Sequence, residues 1–151
     1  PIITHYLRQR QMFQESRRSI SVKVGNIQNE FIVHSQNKDA FIEKNDKTLY
    51  QRIGQKYEEF RGHDLIAGYE FTSDWNTWEV HPKGDEIVLL LSGKITFVLR
   101  LPDGEESITL DEPGSYIIVP KGIWHTAKIN VQSKLLFITP GEGTQNKEEP
   151  D

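Results

Sequence analysis

Four residues in the second half of the sequence have the side chains of metal ligands or acid–base catalysts: Glu79, His81, Glu86 and His125. Residues two apart on a β-strand point to the same side, so Glu79 and His81 are expected to share one face. Two imidazoles and a carboxylate form a facial triad that leaves coordination positions open for water, substrate or dioxygen. His81, Glu86 and His125 supply that set, and Glu79 is a candidate fourth ligand. The residue types therefore predict a divalent-metal site, provided that separate strands bring these side chains together.

The sequence around these residues is typical of short β-strands joined by tight turns. Turn-forming segments such as Ser92-Gly93 and residues 102–104 separate stretches rich in apolar residues. Short strands at regular spacing predict an antiparallel sandwich or barrel, and therefore an all-β domain. The predicted strands are residues 65–71, 86–91, 95–101, 107–110, 116–119, 126–131 and 135–139.

The predicted strand 86–91 indicates how this domain packs. Beyond Glu86 both of its faces are apolar, and Ile87, Leu89 and Leu91 lie on the face opposite Glu86. Such a strand needs a barrel interior on one side and a cover on the other. The cover is expected to be a helix, the N-terminal segment or a second subunit, and we therefore predict a homodimer.

Two flanking segments complete the predicted organisation. An amphipathic helix is predicted at 48–60 because its apolar residues recur at helical spacing. Alternating apolar residues in 20–24 and 31–33 predict a hairpin. The C-terminal tail contains no apolar side chain after Gly141 and is expected to be disordered and dispensable for the fold. The predicted units are residues 1–64, the N-terminal extension, 65–140, the barrel, and 141–151, the tail.

The composition argues against several classes of protein. The formal net charge is −4, without the clustered basic face expected of a nucleic-acid-binding protein. The sequence contains no cysteine, which excludes disulfides, thiolate nucleophiles and cysteine-based metal sites. No apolar run approaches the roughly 18 residues of a membrane span, and His5, Arg8 and Arg10 argue against a secretory signal. We therefore expect a cytoplasmic protein whose partner is a small molecule, not a nucleic acid or a membrane.

Two motifs resemble those of the cupin superfamily. The first cupin motif, G-x5-H-x-H-x(3,4)-E-x6-G, is similar to E-x-H-x4-E-x6-G at residues 79–93, with the second histidine, the glutamate and the final glycine present. The second, G-x5-P-x-G-x2-H-x3-N, is matched up to its histidine by residues 114–125, whereas Ile129 occupies the position of the asparagine. The resemblance covers residues 75–140. It implies a double-stranded β-helix, or jelly roll, with a divalent ion such as Fe, Mn, Ni or Zn inside.

Glu79 departs from the first cupin motif because it occupies the position of a histidine. As a ligand, it would give a set of two imidazoles and two carboxylates that neutralises a divalent ion. An additional carboxylate favours harder ions such as Mn(II) or Fe(II) and weakens the attraction for an anionic substrate. Alternatively, Glu79 stays off the metal and acts as a general base. Both roles remain open at this point.

The resemblance implies a metal-dependent enzyme that acts on a small organic molecule. A dioxygenase-like enzyme would use the open coordination positions for substrate and oxygen, whereas an isomerase, lyase or hydrolase would use the ion as a Lewis acid. The alternative is a non-catalytic protein that binds or senses a small ligand, because one jelly roll hosts many functions. Among the aromatic residues that could line a pocket, Trp78 and Trp124 adjoin Glu79 and His125 and are expected to border its mouth.

Overall fold

The computed structural model describes residues 3–4 and 20–151, which form two antiparallel β-sheets. Sheet A has the strand order β2-β1-β3-β10-β5-β8, and sheet B has the order β11-β4-β9-β6-β7. The strands are β1 Glu30–His34, β2 Ala40–Lys44, β3 Asp64–Phe71, β4 Trp78–Val80, β5 Glu86–Ser92, β6 Ile95–Leu101, β7 Gly104–Leu110, β8 Tyr116–Val119, β9 His125–Lys128, β10 Ser133–Pro140 and β11 Gln145–Lys147. Two antiparallel sheets with this alternation of strands form a cupin-type jelly roll, which confirms the predicted all-β class.

Each of the seven predicted strands is present, with shifted bounds at several ends. The turn at Ser92-Gly93 joins β5 in sheet A to β6 in sheet B. Gly93 has a φ of +90°, and a Cβ at this position would collide with Ser133, so the turn requires glycine. Strands β1, β2, β4 and β11 complete the sheets and lie outside the seven predicted strands.

The main core lies between the two sheets. Glu86, Val88 and Leu90 of β5 point inward, as the alternation of the strand requires, and each is at most 2% exposed. The inward apolar side chains of both sheets pack into one buried cluster: Val88, Leu90, Ile95, Phe97, Leu99, Leu110, Ile117, Val119, Ala127, Ile129, Leu135 and Phe137. The carboxylate of Glu86 therefore extends this buried layer with a charged group.

Helix α1 spans Leu49–Lys56 and is followed by a 3-10 turn at Glu58–Phe60. The predicted helix at 48–60 is thus too long, because three successive residues, 58–60, have positive φ and turn the chain out of the helix. Leu49 and Ile53 pack against the inner face of β1 and β3 in a second buried cluster. In the described part of the chain, no helix has the length and apolar character needed to cross a membrane.

The outer face of sheet A has no cover from α1, which packs on the inner side. The three residues of β5 that were predicted to need a cover differ in exposure. Ile87 and Leu89 are half-buried, whereas Leu91 is 46% exposed. The neighbouring strand β8 adds Tyr116 and Ile118, which are also exposed. The strand register places one isoleucine of each strand in a single row across the sheet: Ile42, Ile32, Ile66, Ile138, Ile87 and Ile118.

The hairpin predicted between 20–24 and 31–33 is wrong. Strand β1 pairs with β2 on one side and with β3 on the other, so neither of its edges is available to another strand. The apolar side chains of the upstream segment, Ile20, Val22 and Val24, are exposed.

The C-terminal segment differs from the expected disordered tail at 141–151. Gln145–Lys147 forms β11, which pairs with β4 of sheet B. Backbone hydrogen bonds and polar contacts hold the segment, so it needs no apolar side chain. The ammonium of its lysine lies 5.6 Å from the centre of the Trp124 ring, and Arg100 forms an ion pair with Glu149.

Candidate metal centre

The four predicted site residues come from both sheets. Glu79 on β4 and His125 on β9 are register partners in sheet B, and His81 directly follows β4. Glu86 is the first residue of β5 in sheet A. The two sheets thus place their polar residues at the same end of the barrel.

The turns that follow these strands are joined to one another. The backbone N–H of Gly122 donates to the carbonyl of His81 at 3.0 Å, and the N–H of Lys121 donates to the Asp85 carboxylate at 2.8 Å. Gly122 has a φ of +77°, a conformation that glycine adopts without steric cost. The Pro-x-Gly part of the second motif therefore anchors the first motif next to His125.

The ligand atoms of Glu79, His81, Glu86 and His125 all lie within 4.8 Å of one another. His81 Nε2 is 3.0 Å from Glu86 Oε2, and His125 Nε2 is 3.2 Å from Glu86 Oε1. Glu79 Oε2 lies 3.7 Å from His81 Nε2. Both imidazoles thus face the same carboxylate, and Glu79 closes the fourth side.

The atoms that converge on this centre lack hydrogen-bond partners among the described residues. His81 Nε2, His125 Nε2 and Glu86 Oε1 are buried, and their close approaches do not have hydrogen-bond geometry. A buried polar group without a partner costs about 1–3 kcal/mol, so three at one point require a common explanation. A cation between them would satisfy all three, and nitrogen and carboxylate donors suit Mn, Fe, Ni or Zn. The cluster can therefore hold a divalent metal ion.

Hydrogen bonds orient both imidazoles toward the centre. His125 Nδ1 lies 3.0 Å from the Ile123 carbonyl, which only accepts, so Nδ1 carries a proton and Nε2 is the nitrogen whose lone pair the neutral imidazole would offer to a metal. His81 Nδ1 lies 2.8 Å from the hydroxyl of Thr144. The Thr139 hydroxyl donates to Glu86 Oε2 at 2.7 Å. Such outer contacts fix the direction of metal ligands.

The sequence carries no signal for the two threonines. Thr144 lies in the segment that was expected to be disordered, and it reaches His81 across 63 positions of the chain. Thr139 alternates with apolar residues near the end of β10 and looks like an ordinary strand position.

The two carboxyl groups have opposite pKa shifts. Burial raises the pKa of Glu86, but the contacts with His125 and His81 outweigh it and bring that pKa to about 2. Burial and the nearby charge of Glu86 raise the pKa of Glu79 above its usual value. Glu86 is therefore the stronger acid of the two, and Glu79 is the better suited to take up a proton.

A cavity of about 920 Å³ adjoins the cluster. Glu79, His81 and Glu86 contribute to its wall, and Trp75 and Phe137 contribute aromatic surface. This volume lies within the usual range of small-molecule sites.

The two tryptophans expected at the cavity mouth do not line this cavity. The Arg100 guanidinium covers the Trp78 ring at 4.4 Å, and Trp124 lies under the lysine of β11. Their positions next to Glu79 and His125 on strands explain the difference, because adjacent residues point to opposite faces.

Two other histidines of the described residues, His34 and His63, are separate from the cluster. His63 Nδ1 contacts the carbonyl of Arg61 at 2.7 Å, and His34 is the last residue of β1. His5 lies outside the described residues.

Comparison with known proteins gives likenesses of fold only. None of the known family models matches the chain, and none of the curated proteins does. Among solved structures, hydroquinone 1,2-dioxygenase from Sphingomonas sp. TTNP3, with 4-hydroxybenzoate bound, is 18% identical with a TM-score of 0.44, over 50% of this chain and 58% of that chain. The chain thus spans little more than half the length of this protein.

Two further solved structures are similar over parts of the chain. A cupin-2 domain protein from Shewanella frigidimarina is 24% identical with a TM-score of 0.39, over 52% of this chain and 69% of that chain. Oxalate decarboxylase from Bacillus subtilis, described with Mn(II) centres, is 16% identical with a TM-score of 0.45, over 56% of this chain and 23% of that chain. The assignment of a jelly-roll fold rests on the sheet topology of this chain.

Proposed function

We propose that this protein is a metal-dependent enzyme that acts on a small organic molecule. The observation that carries the proposal is the convergence of buried donor atoms without hydrogen-bond partners, from His81, Glu86 and His125, at the wall of a cavity of small-molecule size. A structural cluster of polar residues would pair its atoms with one another. These atoms instead face a common point beside an open space.

The residues at the site have separate roles in this proposal. His81, Glu86 and His125 would hold the ion, which when bound supplies Lewis acidity or, in the case of iron, oxygen chemistry. Glu79 faces the cavity, and its raised pKa suits a group that takes a proton from a bound substrate and returns it. Trp75 and Phe137 would give the substrate an apolar surface beside these groups.

Metal uptake tests the site. Wild-type protein, purified without chelator, is offered Mn, Fe, Ni and Zn in turn, and bound metal is measured by elemental analysis. We expect His81→Ala and His125→Ala to lose most of the bound metal while circular dichroism shows an unchanged fold. His63→Ala is the matched control and should bind like the wild type, because His63 lies outside the cluster. Wild-type protein that takes up none of the four metals would overturn the proposal.

A further inference from the structure

We infer that the cavity binds an aromatic molecule without a negatively charged group, and that Gly54 keeps open the space that it occupies. The inference rests on the proposed function, since such a molecule would be the substrate presented to the metal centre.

Aromatic rings form a nearly continuous wall of the cavity. Tyr69 and Phe71 are stacked with centroids 5.8 Å apart, and Phe71 lies 5.6 Å from Trp75. Phe137 contacts this group, with its centroid 6.1 Å from that of Trp75. Rings of a ligand gain from stacked and edge contacts with such a wall beyond the burial of their area. The wall thus favours a flat aromatic molecule over a saturated one of the same size.

The charges along the cavity disfavour an anion. Its ionisable side chains are acidic apart from His81 and the tyrosines, and no lysine or arginine among the described residues lines it. Glu79 and Glu86 together balance the charge of a divalent ion, so no net positive charge remains to attract a carboxylate or phosphate. Glu59 and Asp74 add further negative charge to the lining. An anion here would lie near four carboxyl groups, with no lysine or arginine of the described lining to pair with it.

Gly54 lines the cavity from the interior of helix α1. Glycine at such a position costs about 1 kcal/mol relative to alanine. Its backbone does not require glycine, since it is absent from the residues with positive φ. The packing does not require it either, because a Cβ at this position would meet no atom within 4 Å. The space in front of Gly54 therefore belongs to the cavity and is available to a ligand.

The substrate class is tested with three probes of similar shape on the full chain loaded with Mn(II). Naphthalene-2-carboxamide is aromatic and neutral, naphthalene-2-carboxylate is aromatic and anionic, and decahydronaphthalene-2-carboxamide is saturated and neutral. Binding is measured by isothermal titration calorimetry. We expect both the carboxylate and the saturated amide to bind about tenfold or more weakly than naphthalene-2-carboxamide. Equal or tighter binding of either one would overturn the inference.

Two helix variants test the role of Gly54. Gly54→Leu should weaken binding of naphthalene-2-carboxamide by about tenfold or more, because its side chain fills the space of the ligand. Mn(II) uptake should not change, since Gly54 is outside the donor cluster. Gln55→Leu, on the exposed side of the same helix, is the control. It should change neither the binding of naphthalene-2-carboxamide nor the uptake of Mn(II). A Gly54→Leu variant that binds the amide like wild type would contradict the assignment of Gly54.

The same measurements separate this inference from the proposed function. If Mn(II) is taken up and the neutral amide does not bind, the substrate class is wrong and the metal site stands. If the amide binds and the wild type takes up no metal in the earlier experiment, the proposed function fails, and the substrate assignment, which rests on it, fails with it.

Discussion

Glu79 and Glu86 show how the environment gives two identical side chains different properties. Glu86 is 2% exposed and faces two imidazoles, which keep it ionised. The side chain of Glu79 is 30% exposed, and burial and the neighbouring negative charge raise its pKa. The sequence left the role of Glu79 open between ligand and base, and its role as the base stays a proposal because its carboxylate also lies among the candidate ligand atoms.

Replacing Glu79 with glutamine distinguishes the two roles. If Glu79 is a general base, the Glu79→Gln variant should still bind metal through His81, Glu86 and His125. Its activity should fall by about 10²- to 10⁴-fold. If Glu79 is a metal ligand, the Glu79→Gln variant should mainly have a lower metal affinity, and the Glu79→His variant should restore that affinity. A metal titration and an activity screen are run together on wild type and both variants.

Two results of that screen would count against these roles. A Glu79→Gln variant with full metal content and full activity would exclude both of them. Metal uptake without turnover of any substrate class, in all three proteins, would instead favour a non-catalytic protein that binds a small ligand.

At the scale of elements, Glu43 connects strand β2 to helix α1. Its carboxylate is 5% exposed and accepts hydrogen bonds from Tyr57 Oη at 2.6 Å and from Lys56 Nζ at 2.8 Å. Burial raises the pKa of Glu43, but these hydrogen bonds outweigh it and hold the pKa below its ordinary value of 4.5. A carboxyl group with a lowered pKa stabilises the fold above its ordinary pKa, and this contribution is lost as the pH falls through the folded-state pKa.

Glu43→Gln should therefore destabilise the protein at neutral pH by about 1.5–3 kcal/mol, the range for hydrogen bonds to charged groups. The difference from wild type should shrink as the pH falls below the ordinary carboxyl pKa of 4.5 and through the lowered folded-state pKa of Glu43. Urea denaturation at neutral pH and at successively lower pH values measures this difference, with the exposed Glu106→Gln as control. A difference that does not change with pH would show that the charge of Glu43 contributes nothing.

Thr144, directly before strand β11, contacts His81 of the candidate metal cluster, although it lies in the tail that was expected to be dispensable for the fold. Thr144→Val removes the hydroxyl that orients His81 and should lower metal affinity about 10- to 100-fold, the usual effect of an outer contact to a ligand. Thr144→Ser keeps the hydroxyl and should bind like wild type. Deleting 143–151 should lower affinity at least as much as Thr144→Val. Unchanged Mn(II) binding in Thr144→Val would contradict a positioning role.

For the whole molecule, the row of isoleucines on the outer face of sheet A supports the predicted homodimer. A sheet face with this many apolar residues is typical of an interface. Ile118 is 51% exposed, so Ile118→Lys should preserve the fold of the subunit and dissociate the dimer, because it would bury two uncompensated charges at a symmetric interface. Light scattering measures the mass, with the exposed Ser107→Lys on sheet B as control. A monomeric wild type at micromolar concentration would exclude the dimer.

The sequence by itself determined seven of the eleven strands in the described part of the chain, the turns between them and the residues of the cluster. Turn residues such as Gly93 and Gly122 and the alternation within β5 act over a few positions, so a local pattern contains them. The spacing of His81, Glu86 and His125 depends on the length of these turns. It could therefore be recognised from the local sequence as well.

Only the tertiary structure decided which further residues surround the centre. Thr144 reaches His81 through a strand held by backbone hydrogen bonds, which leave no pattern of side chains in the sequence. Gly54 borders the cavity because α1 packs on the inner face of sheet A, whereas its sequence shows only a weakened helix. β1 pairs with β2 and β3 and not with the apolar segment 20–24, because strand partners are chosen by competition among all available edges. Such contacts depend on where distant elements dock, and local residue preferences do not specify that.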